Sequence, residues 1–503
     1  MSTDIEVKPN LFGQLAPPQR SGLFGFSLGQ SVALVPIVLV VITLLAFQYF
    51  LLAAGLVAVS IVAFALVKIN RKDGRNIYGR IMLRRAQKHK EKKDQHFYLA
   101  GPTGKGTPDG KTRLPGLMAR SELSEHVDSF GEPFGLIRVS GNGVHNYSVV
   151  FETHPAGEDL IDADQMQHRI ALWAAWLTQR GADEGIRGAS VTIESSPDSG
   201  LRLRSLIQNN RAADSPEFAR IVTNQIESSF QGGAPQLVAR ISVTFSGRRV
   251  DGQAGDRGTV EMAEEIATRV PTIRAELAGT GAGAVKSCTA QQITDFTRVA
   301  YDPTVANTVE EMQSDGGTGL LWEDAGPSFH HDGFDLYRHD RAVSKSWTMW
   351  KGPSGHFTAD SLKRVLEPLP GVLRKRVTLL YRPIPADQTT KVVDQEQNDA
   401  RFAGSQSRNS ARARQRQMAA QKTASEEAMG AGLTRFGLIL TITASDFEDF
   451  SKWDRKVPGL FSRAKLRVRP ALANQAVTFQ AGLPLGLVLP DHMLIPEEVR
   501  MMF

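Results

Sequence analysis

Residues 32–67 read VALVPIVLVVITLLAFQYFLLAAGLVAVSIVAFALV, a run without one Asp, Glu, Lys or Arg. As one helix it would measure about 54 Å at 1.5 Å per residue, against a hydrocarbon core of about 30 Å. Two spans turning near Gln48, Tyr49 and Phe50 fit that length, with a single steeply tilted span as the alternative. Gln48 is the strongly polar side chain at the middle, and Tyr49 is a type that favours an interface. A signal peptide is disfavoured: the run is too long, starts too late and lacks a small-residue cleavage site. Directly after it, Lys68–Lys93 carries eleven Lys/Arg against Asp73 and Glu91, a local charge of +9. Basic residues flanking a span mark its cytoplasmic side. The expectation is a multi-pass protein of the plasma (inner) membrane, with its N-terminus and Lys68–Phe503 in the cytoplasm. The same bases can hold the headgroups of anionic lipids in the bilayer, at roughly 1 kcal/mol each.

The whole chain of 503 residues carries a net charge of +6, so the rest of it is slightly acidic. That excludes a uniformly basic nucleic-acid binder. The length implies more than one folding unit. With Cys288 as the only cysteine, an intrachain disulfide and a cysteine-based zinc site are both excluded.

Downstream the pattern is α+β. Phe134–Val139 and Val144–Phe151 predict a hairpin, and Asp164 caps a helix reaching Arg180. Strands follow at Ala189–Ser195, Gln236–Phe245 and Ala284–Cys288. Helices are predicted over Ser215–Ser229, Thr259–Leu277 and from Thr289 to about Tyr301. Beyond Gly316, strands are predicted at Asp335–His339, Ser344–Trp350, Arg376–Ile384 and Leu433–Ala444, with helices over Ala359–Leu366 and Phe447–Trp453. Leu466–Phe479 reads as irregular. Residues 386–430, rich in Gln, Ala and Arg, read as a long polar helix or helical hairpin that projects towards a neighbour. The expected fold is therefore an N-terminal two-helix transmembrane hairpin, then a mixed α/β cytoplasmic body with a long polar helical segment. Its parts are a cytoplasmic arm (1–30), the hairpin (31–68), a basic juxtamembrane segment and linker (69–117), a first α+β domain (118–315) and a second (316–503) with a helical insertion at 386–430.

The candidate chemistry is sparse. Gly101–Thr112 is rich in Gly and Lys, but the residue five before Gly110-Lys111-Thr112 is Lys105 rather than Gly, and Pro108 removes a cradling N–H. A flexible linker is the better reading, and a nucleotide-binding enzyme using 101–112 is the alternative. His330, His331, Asp332, Asp335, His339 and Asp340 form the densest set of potential metal ligands, yet Gly326, Pro327 and Gly333 oppose the helix that would align them. His168 reads as a helix-surface residue and Cys288 as a small core residue. Arg408, Arg412 and Arg416 make a basic stripe in 401–422 that could meet nucleic acid, though only Phe402 is aromatic there. No catalytic, cofactor-binding or metal-binding residue is assigned, and no cofactor is expected.

Several short segments carry a resemblance: the Ser21–Lys68 hairpin, Thr112-Arg-Leu-Pro-Gly-Leu117, Arg298-Val-Ala-Tyr-Asp-Pro303, His339-Asp340, Arg376-Val-Thr-Leu-Leu-Tyr-Arg-Pro-Ile384 and Leu483-Pro-Leu-Gly486. In order they resemble a family of membrane proteins of actinobacterial conjugative elements. There a two-span subunit of type IV secretion is joined to something like the N-terminal domain of the conjugation ATPase. Where that ATPase would continue into its motor core, only Leu487–Phe503 follow. The resemblance implies a non-enzymatic inner-membrane scaffold of a type IV secretion (conjugative transfer, DNA transfer) machine, its cargo DNA, protein or both, that docks a separate conjugation-type ATPase and other secretion subunits, as an oligomer within the complex. The alternative in this class is a membrane component of another secretion system.

Overall fold

A computed structural model describes residues 12–13, 28–68, 73–101, 110–141, 143–155, 157, 161–198, 200, 207, 210–212, 214–229, 235–249, 255–353, 356–406, 411–428, 430, 432–445 and 449–493. The chain opens with a two-residue strand, β1 (Phe12–Gly13), which pairs with β12 (His356–Phe357) far along the sequence. Apart from β1 and Leu28–Gln30, the N-terminal arm lies outside the described residues.

The long apolar run forms α1 (Leu28–Ala46) and α2 (Phe50–Lys68), joined by a tight turn in which Gln48 adopts a φ of 60°. The position of the turn agrees with the sequence; the membrane assignment does not. Among the described residues no helix is long and apolar enough to cross a membrane. This corrects the transmembrane hairpin expected over 31–68, and with it the multi-pass inner-membrane placement. The physical reason is the length of the apolar part of each helix. Once the run is divided, each 19-residue helix is about 28 Å long at 1.5 Å per residue, just short of a core of about 30 Å. Gly29, Gln30 and Ser31 at one end and Lys68 at the other shorten the apolar part further. The basic helix α3 (Ile77–Lys92) follows, its first turn capped by Asn76 Oδ1 accepting from the Gly79 N–H at 2.7 Å.

The body is one antiparallel sheet. From α3 the chain enters β2 (Phe97–Leu99), β3 (Ser121–Val127), β4 (Pro133–Gly141) and β5 (Val144–His154). Then come α4 (Ala163–Ala182), β6 (Ile186–Pro197), α5 (Glu217–Ser229), β7 (Pro235–Ser246), α6 (Thr259–Leu277), β8 (Ala284–Ser287), α7 (Ala290–Tyr301) and α8 (Ala306–Ser314). The second half brings β9 (Phe329–Asp332), β10 (Tyr337–His339), β11 (Ala342–Lys351), the short α9 (Lys363–Leu366) and β13 (Arg374–Pro383). It closes with α10 (Ala386–Gln406), α11 (Ala411–Ala428), β14 (Thr434–Ser445), α12 (Ser451–Leu460), β15 (Arg467–Pro470) and α13 (Gln475–Ala481). The strand order is β2-β9-β10-β11-β14-β13-β6-β7-β5-β4-β3, with β15 on β11 and β8 on β5, so the sheet runs unbroken from residues before 316 to residues after it.

Outward from the β6–β13 seam the two halves have the same plan. Each places β6 or β13, then β7 or β14, then a hairpin, and adds a short strand (β8 or β15) to the hairpin's inner member. Both hairpins close with the same spacing, at Gly141↔Val144 and His339↔Ala342. The hydroxyl pair Ser148–Thr244 in one half has its counterpart in Ser346–Thr441 in the other, each 2.9 Å apart.

Alternation along the strands sends side chains to opposite faces. On one face Phe134, Val149 and Val243 pack under α4 and α6 with Trp176 and Ile266. Farther along, Trp347, Leu440 and Ile442 meet Trp453 and Val457 of α12. The reverse face holds a core shared by both halves, in which Ile137, Val150 and Ile439 meet Ile293, Tyr301, Phe479, Leu483 and Leu485. The polar stretch 386–430 contributes the helix pair α10 and α11. Leu466–Phe479, expected to be irregular, contains β15 and most of α13.

Candidate functional site

Apart from the Ser21–Lys68 hairpin, the short segments singled out in the sequence meet at the sheet and on its reverse face. A capping box at Thr289 starts α7, with its hydroxyl accepting from the Gln292 N–H and the Gln292 side chain accepting from the Thr289 N–H. The helix delivers Tyr301 into the core, fully buried. The Tyr301 carbonyl lies 2.5 Å from His339 Nδ1, and His339 Nε2 lies 2.7 Å from Ser344 Oγ, itself 2.7 Å from Thr443 Oγ1. A carbonyl only accepts, so Nδ1 carries the proton and Nε2 accepts from Ser344. Burial, reinforced by Arg376 and opposed by the bond to Tyr301, holds the His339 pKa down at about 4. Burial, helped by His339, His331 and Lys90, lowers that of His330 to about 3, and its Nδ1 sits 3.0 Å from the Tyr337 hydroxyl. Both rings are neutral at pH 7. The Ser344–His339 pair is wholly buried, which withholds it from any substrate.

The other segments join the same centre. Gln480 donates to the Pro115 carbonyl at 2.5 Å and to the Tyr301 hydroxyl at 3.2 Å. Arg298 donates to the Gly326 carbonyl at 2.5 Å and pairs with Asp340 at 3.0 Å. Gly326 in turn donates to the Thr112 carbonyl at 2.7 Å. The Leu483-Pro-Leu-Gly486 segment crosses the sheet from the second half to the first. Thr378 donates to the Gly482 carbonyl at 2.6 Å, and Thr244 to that of Gly486 at 2.9 Å. Gly486 has a φ of +71°, and a Cβ there would lie 2.1 Å from Ser148 Oγ, so the close crossing requires glycine. Across the seam Glu194 receives Arg376 at 2.8 Å through Nε and also pairs with Arg374. Burial alone would raise the Glu194 pKa; Arg376, Arg374 and Arg240 together outweigh it and hold it at about 2.

The six potential metal ligands are dispersed by this network. Asp332 pairs with Lys90 at 2.6 Å and caps α13 by accepting from the Ala476 N–H at 3.1 Å. Asp335 pairs with Lys345 at 2.9 Å. Asp340 accepts from the N–H groups of Ser328 and Phe329 at 2.8 and 3.1 Å. His331 meets His96 ring to ring at 5.3 Å. Among the described residues no group of three His, Cys, Asp or Glu is placed to hold a metal ion. Cys288 is buried, and burial pushes its thiol up to about 12, away from nucleophile chemistry. His168 is exposed on α4. Of the Gly/Lys-rich loop, 102–109 lie outside the described residues, and Lys111 is ion-paired with Glu323. Arg408 and the side chains of Arg412 and Arg416 are likewise outside them.

One feature gave no sequence signal beyond its helical period. No residue of α5 is buried, and Phe218, Ile221, Val222 and Ile226 lie exposed along one side of it, Phe218 by 78%. A pocket of about 320 Å³ lined by Arg211, Ser215, Ala219, Arg220 and Thr223 opens beside the same helix.

A domain of unknown function, DUF8461, matches residues 19–79, the apolar helices and the start of α3. No curated protein matches the chain. Neither result points to type IV secretion or conjugation, and the expected assignment to a membrane-embedded DNA-transfer machine is not sustained.

Proposed function

We propose that this chain is a non-enzymatic scaffold whose body docks a separate protein; the partner implied by the sequence resemblance is a motor ATPase. The observation that carries the reading is α5. A helix that turns Phe218, Ile221, Val222 and Ile226 outward together, and buries none of its own residues, lacks the packing that ordinarily stabilises an amphipathic helix. A protein surface supplies that packing, in the helix-in-groove manner. The segments of the body shared with the resemblance fit a structural role, since they clamp the two half-sheets together rather than lining a cleft.

The test is co-purification of the full chain with the ATPase encoded nearest to it. The wild type should capture it, and Phe218→Glu with Ile221→Glu should weaken capture at least tenfold without shifting the melting temperature, because neither side chain packs on the body. ATP hydrolysis by the chain alone, abolished by Lys111→Ala, would instead establish the nucleotide-binding alternative.

A further inference from the structure

We infer that the outer side of α3 forms a face that lies on an anionic lipid surface. The α3 helix is fixed in orientation by its inner side. Gln87 is buried and donates to the Asp332 carbonyl at 3.1 Å, Lys90 pairs with Asp332 at 2.6 Å, and Arg80 pairs with Asp73 at 2.6 Å. The opposite side is therefore presented outward. Ile81, Arg85, Lys88 and Lys92 are all exposed and recur at helical spacing, with Tyr78, Met82, Arg84 and His89 beside them. Glu91, the one acid on this helix, is exposed, and its Oε1 accepts from the buried Gln87 at 3.2 Å.

The charge of this face calls for an anionic partner, and its apolar residues decide which kind. On α3 itself Tyr78, Ile81 and Met82 are 50%, 41% and 37% exposed. A nucleic acid offers phosphates but no aliphatic counterpart to these side chains. The boundary between headgroups and acyl chains offers both, and a basic helix with apolar residues on the same exposed side lies in that boundary without spanning it. The contact does not depend on α5 or on the docked protein, so the two proposals fail separately.

The experiment is vesicle co-sedimentation of the full chain. The wild type should bind phosphatidylcholine vesicles containing about one part in four phosphatidylglycerol, and bind pure phosphatidylcholine far more weakly. Three bases at about 1 kcal/mol each correspond to a roughly 100-fold loss of affinity in the Arg85→Gln, Lys88→Gln, Lys92→Gln variant. Those side chains leave the inner contacts of α3 untouched, and an unchanged far-ultraviolet spectrum checks the fold. Equal binding to both vesicle types, an unaffected triple variant, or tighter binding to a single-stranded oligonucleotide than to the anionic vesicles would each overturn the inference.

Discussion

His339 shows how far a residue's chemistry depends on its surroundings. In the sequence it stands at the end of a predicted strand among potential metal ligands; in the fold it is a fully buried, neutral ring that ties α7 to β11 and β14. Its folded pKa of about 4, and that of His330 at about 3, lie below the ordinary value near 6.5. A depressed histidine pKa means that the unfolded chain takes up the proton first. Stability is thus complete above about pH 6.5 and is lost as the pH falls towards the folded values, at up to about 1.4 kcal/mol per pH unit for each ring. Between pH 6.5 and 5 few carboxylates titrate, so denaturation midpoints measured there should fall with pH. His339→Gln, although destabilised, should show a shallower fall; an identical slope would remove His339 from the explanation.

At the scale of elements, the decisive joint is the pairing of β6 with β13. Thr192 faces Thr378 across it, with their hydroxyls 3.2 Å apart, and the Glu194–Arg374–Arg376 cluster spans the same two strands. Arg376 and Glu194 are both well buried, so the pair matters chiefly through what its loss leaves behind. Glu194→Gln would strand two guanidinium groups and is expected to cost about 3–5 kcal/mol, read from the urea midpoint. A loss below about 1 kcal/mol would mean that the seam does not depend on this cluster. Much of the hairpin and crossover pattern was legible: the β4–β5 turn, the Thr289 cap and the position of β14 all follow local rules. The strands β3 and β9 and the α13 helix were not. Their short sequences carry little period of their own, and they are held by β4, by β10 and by the cap that Asp332 gives α13.

The whole molecule behaves as two matched halves closed over a common core. Residues from β4, β14, α7 and α13 fill the same apolar layer, and Gly482–Gly486 straps one half to the other. The connection between the halves passes through the exposed Gly316 and Gly317. A protease site inserted there and cut in the full chain should leave both fragments eluting together from a sizing column, and separating only in denaturant. Fragments that part under native conditions would show that the seam and the shared core are too weak to hold the halves.

The sequence by itself determined the composition of this protein's parts: an apolar stretch broken at Gln48, a basic block after it, and alternating strands and capped helices to the end. These are properties of neighbours along the chain, and period, charge and turn chemistry report them directly. The tertiary structure alone decided that short strands such as β3 and β9 pair into one unbroken sheet. It alone brought Thr112, Arg298, Tyr301, His339 and Gly486 to one side of one sheet, and it alone left α5 bare. Those outcomes depend on which distant strands pair and what covers each face, and that is settled by burial summed over the whole chain rather than by any local stretch of it.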